Sequence, residues 1–67
     1  MAKQLNINQA KEVAQKIYEQ AENMIYIENA SDQGRAIAKI EMLTDLIKNG
    51  YDERFSFEKS LHQIISL

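Results

Sequence analysis

Apolar residues recur at spacings of three and four along the first part of the chain, the period of a helix with one buried face. The stripe consists of Ile7, Ala10, Ala14, Ile17, Ala21 and Met24. Val13 and Ile25 widen it on one side, and Tyr18 widens it on the other. Asn6 and Gln9 have the spacing of a capping box at its start. The pattern predicts a first helix over about residues 7–30.

A second stripe with the same period follows after the polar sequence NASDQG. Its inner positions are Ala36, Ile40, Leu43 and Ile47, flanked by Ile37, Met42 and Leu46. Ser31 is a suitable N-cap for this segment. Lys48, Asn49 and Gly50 form a typical C-terminal signal, a cation in the last turn followed by a glycine cap. We therefore predict a second helix over about residues 32–49.

A third, shorter apolar pattern closes the chain, with Phe57, Leu61 and Ile64 at helical spacing and Ser56 as a possible cap. It predicts a helix over about residues 56–66. Short connections make successive helices antiparallel neighbours. The expected fold is all-α and forms one domain over residues 1–67: an antiparallel helical hairpin plus a third shorter helix, a three-helix mini-bundle that dimerises. No strand is expected.

Four consecutive apolar residues near the end of the first helix do not fit on one buried face. The third helix could cover part of this strip, or a second protein chain could. The charged residues between Lys16 and Arg35 are all acidic, and an apolar centre with a charged rim is typical of protein interfaces. The sequence therefore predicts a protein-binding site made of Met24, Ile25, Tyr26, Ile27, Glu22, Glu28 and Asp32.

The size of the chain favours self-association. At 67 residues the chain has a small core, and it contains no cysteine and a single histidine, His62. A core of this size supplies roughly 3–5 kcal/mol, so natural domains of this length often add a staple or a partner chain. We expect no metal or cofactor, and we expect a homodimer.

Charge and composition argue against several classes of function. The net charge is −2 and no basic stripe is visible, so nucleic-acid binding is not expected. No apolar run of about 20 residues and no signal peptide is present, which predicts a cytoplasmic protein without a membrane segment. Glu58 and His62 lie one helical turn apart, but no nucleophile or second histidine supports them as an active site. The chain is not expected to be an enzyme.

The sequence thus favours a small regulator, inhibitor or adaptor that occludes a partner protein with an apolar and acidic helical surface. A partner with a basic surface would suit the acids. Small size and a composition rich in Ile, Lys, Asn and Glu suggest a phage or mobile element, and hence the host cytoplasm. Two alternatives stay open: a structural or assembly subunit, such as a scaffold or chaperone component, and a helix-turn-helix-like DNA-binding regulator.

Overall fold

The computed structural model describes residues 2–67 and contains three helices, α1 (Ile7–Ile25), α2 (Ala30–Asn49) and α3 (Phe57–Ile65). α1 packs along α2 as a helical hairpin, and the shorter α3 packs mainly against α2. The predicted all-α hairpin with a third shorter helix is confirmed. Two short strands, β1 (Ala2–Lys3) and β2 (Tyr51–Asp52), pair in antiparallel register beside the helices.

α1 begins as predicted and ends earlier than predicted. The Asn6 side chain accepts a hydrogen bond from the Gln9 backbone N–H at 2.8 Å, and the Gln9 side chain accepts one from the Asn6 N–H at 3.1 Å. The capping box is thus present. The helix ends at Ile25 instead of near residue 30, because the Tyr26 N–H turns back to the Asn23 carbonyl at 3.1 Å and tightens the last turn.

α2 begins before its predicted cap. Asn29 has extended backbone, and its side chain accepts a hydrogen bond from the Ser31 N–H at 2.9 Å. Asn29 is therefore the N-cap, and the prediction that Ser31 is the N-cap was wrong. The Gln33 side-chain amide donates to the Ile27 carbonyl at 2.8 Å and so ties the turn to the first turn of α2.

The end of α2 is the one predicted from the Lys-Asn-Gly signal. Gly50 has a φ of 77°, and its N–H donates to the Leu46 carbonyl at 3.0 Å. This conformation turns the chain so that Tyr51 pairs with Lys3 in the two-stranded sheet. The prediction of no strand was wrong here, because two paired residues are too few to show a period in the sequence.

The core lies between the hairpin and α3. Val13 of α1 and Leu43 of α2 are its two fully buried large side chains. The buried cluster also contains Leu46, Tyr51, Phe57 and Leu61, with Leu5, Ile17, Ile64 and Ile65 packed against it. The inward positions predicted for α3 are confirmed, whereas the burial of Tyr51 was not predicted.

The stripes predicted for α1 and α2 are covered only in part. On α1, Ile7 is 71% exposed and Ala14 and Ala21 are exposed. On α2, Ile37 is 45% exposed and Ile47 is also exposed. The expectation that these stripes face the core of one chain was therefore wrong for half of the α1 stripe, and on α2 it was wrong for Ile47 among the four inner positions. The core is centred on Val13, Leu43 and Leu46, which shifts each buried face toward α3.

Candidate protein-binding surface at the hairpin turn

The turn between α1 and α2 displays two large apolar side chains. Ile25, the last residue of α1, is 78% exposed, and Tyr26, its C-cap, is 82% exposed. Their backbone is fixed by the end of α1 on one side and by the Gln33 bond to Ile27 on the other. The two side chains therefore stand on an ordered turn and meet solvent.

The other two residues of the predicted apolar strip are half-buried. Ile27 lines a pocket on the flank of the turn, and Met24 is not among the residues that line it. That pocket is lined by Gln20, Asn23, Ile27, Asp32, Arg35, Ala36, Lys39 and Leu67. Leu67, which follows α3, lines the same pocket as Ile27, so the chain partly covers this end of the strip.

The predicted acidic residues do not all lie on one surface. Glu22, Glu28 and Asp32 are exposed, and neither of the ion pairs found within residues 2–67 involves them. Asp32 lines the flanking pocket together with Arg35 and Lys39, so that side carries mixed charge. Glu22 lies one helical turn before Tyr26, and Glu28 follows it in the turn.

The residues that remain together form one small patch. We call Glu22, Ile25, Tyr26 and Glu28 the tip patch. It has an apolar centre and an acidic edge, and all four side chains are exposed. Exposed apolar side chains of this kind are typical of a binding surface.

The groups with potential chemistry lie elsewhere. Glu58 and His62 are exposed on α3, and among the described residues no hydrogen bond or ion pair joins them. Nor do residues 2–67 bring three or more His, Cys, Asp or Glu side chains together as potential metal ligands. Arg54 donates to Asp52 from its guanidinium at 3.0 Å and from its backbone at 2.9 Å, and these bonds lower the pKa of the Asp52 carboxyl. That pair lies in the turn before α3.

A second apolar surface is exposed over most of its area, and most of its residues were assigned to the core by the sequence pattern. We call it the open face. On α1 it contains Ile7, Ala14, Tyr18, Ala21 and Ile25, and on α2 it contains Ile37, Ile40, Thr44 and Ile47. The width of the apolar stripes is the sequence feature that indicates this exposed surface, because one neighbouring helix covers only part of such a wide arc.

The open face lies on the side of the hairpin away from α3. Gln20, Asn23, Arg35 and Lys39 share a pocket with Leu67, which marks the α3 side. At about 100° per residue, the open-face positions on both helices are turned by roughly 80–180° from those four residues. Thr44 fits this apolar surface because its hydroxyl donates to the Ile40 carbonyl at 2.7 Å.

No protein-family model, curated protein or solved structure matches this chain significantly. Within residues 2–67, no helix combines the length and the apolar character needed to cross a bilayer.

Proposed function

We propose that this chain is a small non-enzymatic protein-binding regulator or adaptor that works as a homodimer and occludes a surface of a partner protein with its tip patch. The observation that carries the proposal is the exposure of Ile25 and Tyr26 side by side on an ordered turn, at 78% and 82%. These are the two most exposed large apolar side chains on the described part of the chain.

Tyr26 is the anchor of the proposed contact. Tyrosine is enriched among the residues that dominate binding energy, because it brings a large rigid ring together with a hydroxyl that can find a polar partner. The turn that carries Tyr26 is held by backbone and side-chain hydrogen bonds, so little conformational entropy is lost when it docks.

The charges around Tyr26 determine which partner surface fits. Glu22 lies one helical turn before Tyr26 and Glu28 lies two residues after it, and neither is paired with a cation within the described residues. Complementary charge speeds encounter and excludes wrong partners more than it adds affinity. The tip patch is therefore suited to a partner surface with an apolar depression and a basic rim, and occupying that surface is the mechanism of action.

Site-specific photocrosslinking in the cells that carry this gene tests the proposal. A photoreactive phenylalanine analogue replaces Tyr26 in one variant and Gln63, an exposed residue of α3, in the matched control. We expect the probe at residue 26 to capture one discrete heterologous protein and the probe at residue 63 to capture none. The same protein should bind the purified chain more weakly as salt is raised, since the acids contribute to its attraction.

Other outcomes favour the alternatives. Adducts that contain only further copies of this chain would indicate a structural or assembly subunit. Retention of the purified chain on DNA at low salt, lost as salt is raised, would indicate a DNA-binding regulator. Equal capture at residues 26 and 63 would contradict a specific site at the tip.

A further inference from the structure

The chain exposes more surface than its mass requires. Its accessible surface is 5036 Å², whereas a folded monomer of 7.7 kDa exposes about 4,300 Å². The excess is about 700 Å². A standard protein interface buries about 800 Å² on each partner. The excess accessible surface of this chain is thus close to the area that one partner buries in a standard interface.

The shape of the chain agrees with this surplus. The molecule measures 37 × 20 × 16 Å, an elongated shape with two similar short dimensions. Its radius of gyration is 12.2 Å, compared with about 11 Å for a compact domain of this length. The open face runs along the length of the hairpin, so a second hairpin packed on it would give a thicker and less elongated bundle.

Four of the five α1 residues of the open face are placed symmetrically about one midpoint, and the fifth, Ala21, has Lys11 at its mirror position. Ile7 and Ile25 stand equally far from Lys16, and Ala14 and Tyr18 also stand equally far from it. If two copies of α1 pack antiparallel across a two-fold axis at this level, Ile7 meets Ile25 of the second copy. Each Ala14 then meets a Tyr18, which pairs a small side chain with a large one.

The α2 part has the same property. Ile37 pairs with Ile47 about the centre of its stripe, and Ile40 pairs with Thr44. The stripe centres, Lys16 and Met42, lie nine residues before the end of α1 and twelve residues after the start of α2. Their levels along the hairpin therefore differ by about 4.5 Å, less than one helical turn. One two-fold axis therefore serves both helices, as a closed symmetric dimer requires.

The charges beside the α1 stripe are arranged for the same axis. Lys11 and Glu22 flank the stripe on the same side, at nearly equal distances from its centre. An antiparallel second copy brings each Lys11 beside a Glu22 of the other chain.

We infer that the open face docks a second copy of this chain, with the two α1 helices antiparallel and the two α2 helices antiparallel around one two-fold axis. The inference rests on the homodimer included in the proposed function and specifies its interface. It does not depend on the heterologous partner. The result is a two-layer helical dimer with the α3 helices on its outer sides.

This dimer leaves Tyr26 and Glu28 of each tip patch available, whereas Ile25 and Glu22 become part of the dimer interface. Ile25 contributes to the interface, whereas Tyr26 follows it about 100° further around the helix axis and stays outside. Because the two hairpins run in opposite directions, their turns lie at opposite ends of the dimer. The dimer thus presents two Tyr26 side chains, at opposite ends.

Disulfide crosslinking tests the register directly, since the chain contains no cysteine of its own. The variants are Ile7→Cys and Ile25→Cys, both at exposed positions. Within one chain these positions are about 27 Å apart along α1, too far for a bond. We expect an equimolar mixture of the two variants to form a disulfide-linked heterodimer rapidly on mild oxidation. Each variant alone should stay largely uncrosslinked.

A charge placed on the open face tests whether that face forms the dimer. Ala14→Arg adds a cation at the centre of the proposed interface, and Asn23→Arg adds the same cation at an exposed position on the other side of α1. We expect Ala14→Arg to raise the dimer dissociation constant by at least about 100-fold, because it buries unpaired charge. Asn23→Arg should leave it unchanged, and circular dichroism should show full helicity in both variants.

The outcomes separate this inference from the proposed function. If light scattering shows that the wild-type chain is monomeric at all concentrations, the inference and the dimeric part of the proposed function are both wrong. Capture of a partner protein at Tyr26 is tested separately by the photocrosslinking experiment and does not depend on this result. A dimer that forms no link between residues 7 and 25 and resists Ala14→Arg overturns the interface alone. A dimer with the expected crosslink and the expected dissociation supports it.

Discussion

Gly50 ends α2 in a backbone conformation that only glycine adopts readily. Its φ of 77° and ψ of −165° lie outside the regions open to residues with a side chain. A Cβ at this position would also collide with the backbone carbonyl of Lys3, which belongs to β1. The residue therefore permits both the exit from α2 and the close approach of the first strand.

Two glycine substitutions should change stability in opposite directions. Gly50→Ala should destabilise the fold by at least about 2 kcal/mol, since it adds backbone strain to a steric clash. Gly34→Ala, inside α2 with open space around its Cβ position, should stabilise the fold by about 0.5–1 kcal/mol through helix propensity. Urea unfolding of both variants measures the difference, and a tolerated Gly50→Ala would contradict the described contact with Lys3.

The Asp52–Arg54 pair should make stability depend on pH in the acidic range. Arg54 lowers the pKa of Asp52 from its ordinary value of 3.8. The pair therefore stabilises the fold above pH 3.8, and this contribution is lost as the pH falls through the lower pKa of the folded state. In Arg54→Gln the pKa of Asp52, followed by NMR, should rise toward 3.8. An unchanged pKa would show that the guanidinium does not act on this carboxyl.

The first turn of α2 offers a test of which residue caps the helix. Asn29→Ala removes the side chain that accepts the Ser31 N–H, and it should cost about 1 kcal/mol. Ser31→Ala, at the position that the sequence pattern favoured, should cost only a few tenths of a kcal/mol, as at an ordinary exposed helix site. Thermal unfolding distinguishes them, and the reverse order of effects would place the cap at Ser31.

Helix starts and stops were predictable from the sequence where a local side-chain signal was unambiguous. The Asn6–Gln9 capping box and the Gly50 cap are formed by residues within a few positions of each other, so spacing alone identified them. The turn between α1 and α2 contains both Asn29 and Ser31 as suitable caps. The choice between them depends on how the last turn of α1 closes, and propensity does not decide that.

The sheet and the burial of Tyr51 were not predictable by local reasoning. β1 and β2 are about fifty residues apart in the sequence, and each offers only two residues to the pairing. Tyr51 is buried because β2 lies against α3, where its ring is 5.8 Å from the ring of Phe57. Contacts of this kind depend on the path of the whole chain.

At the scale of the whole molecule, the sequence indicated a surplus of apolar surface without locating it. The strip at residues 24–27 indicates part of this surplus in the sequence, because four consecutive apolar residues cannot all lie on one buried helix face. The larger surplus is spread along the helical stripes, where Ile7 and Ile37 have core spacing and yet are exposed. Periodicity identifies an apolar face, but whether a helix of the same chain or of another covers that face depends on where α3 packs.

Reversing the charge of Lys11 or Glu22, which face each other across the proposed two-fold axis, should change the stability of the dimer. Lys11→Glu and Glu22→Lys should each weaken the dimer about 3–10-fold at low salt, since each dimer contains two exposed pairs worth up to about 1 kcal/mol. The combined variant should restore the wild-type dissociation constant, because it only exchanges the partners of each pair. Glu12→Lys, an equal change of charge on the outer side of α1, serves as the control and should have no effect.

Sedimentation equilibrium at low and high salt measures these dissociation constants. The differences among the variants should shrink in 1 M salt, where the screening length falls to about 3 Å. A combined variant weaker than both single variants would mean that Lys11 does not face Glu22 of the second copy, and the antiparallel register would be wrong. Rescue by the combined variant requires the two residues to meet across the interface, because within one chain they lie about 16 Å apart along α1.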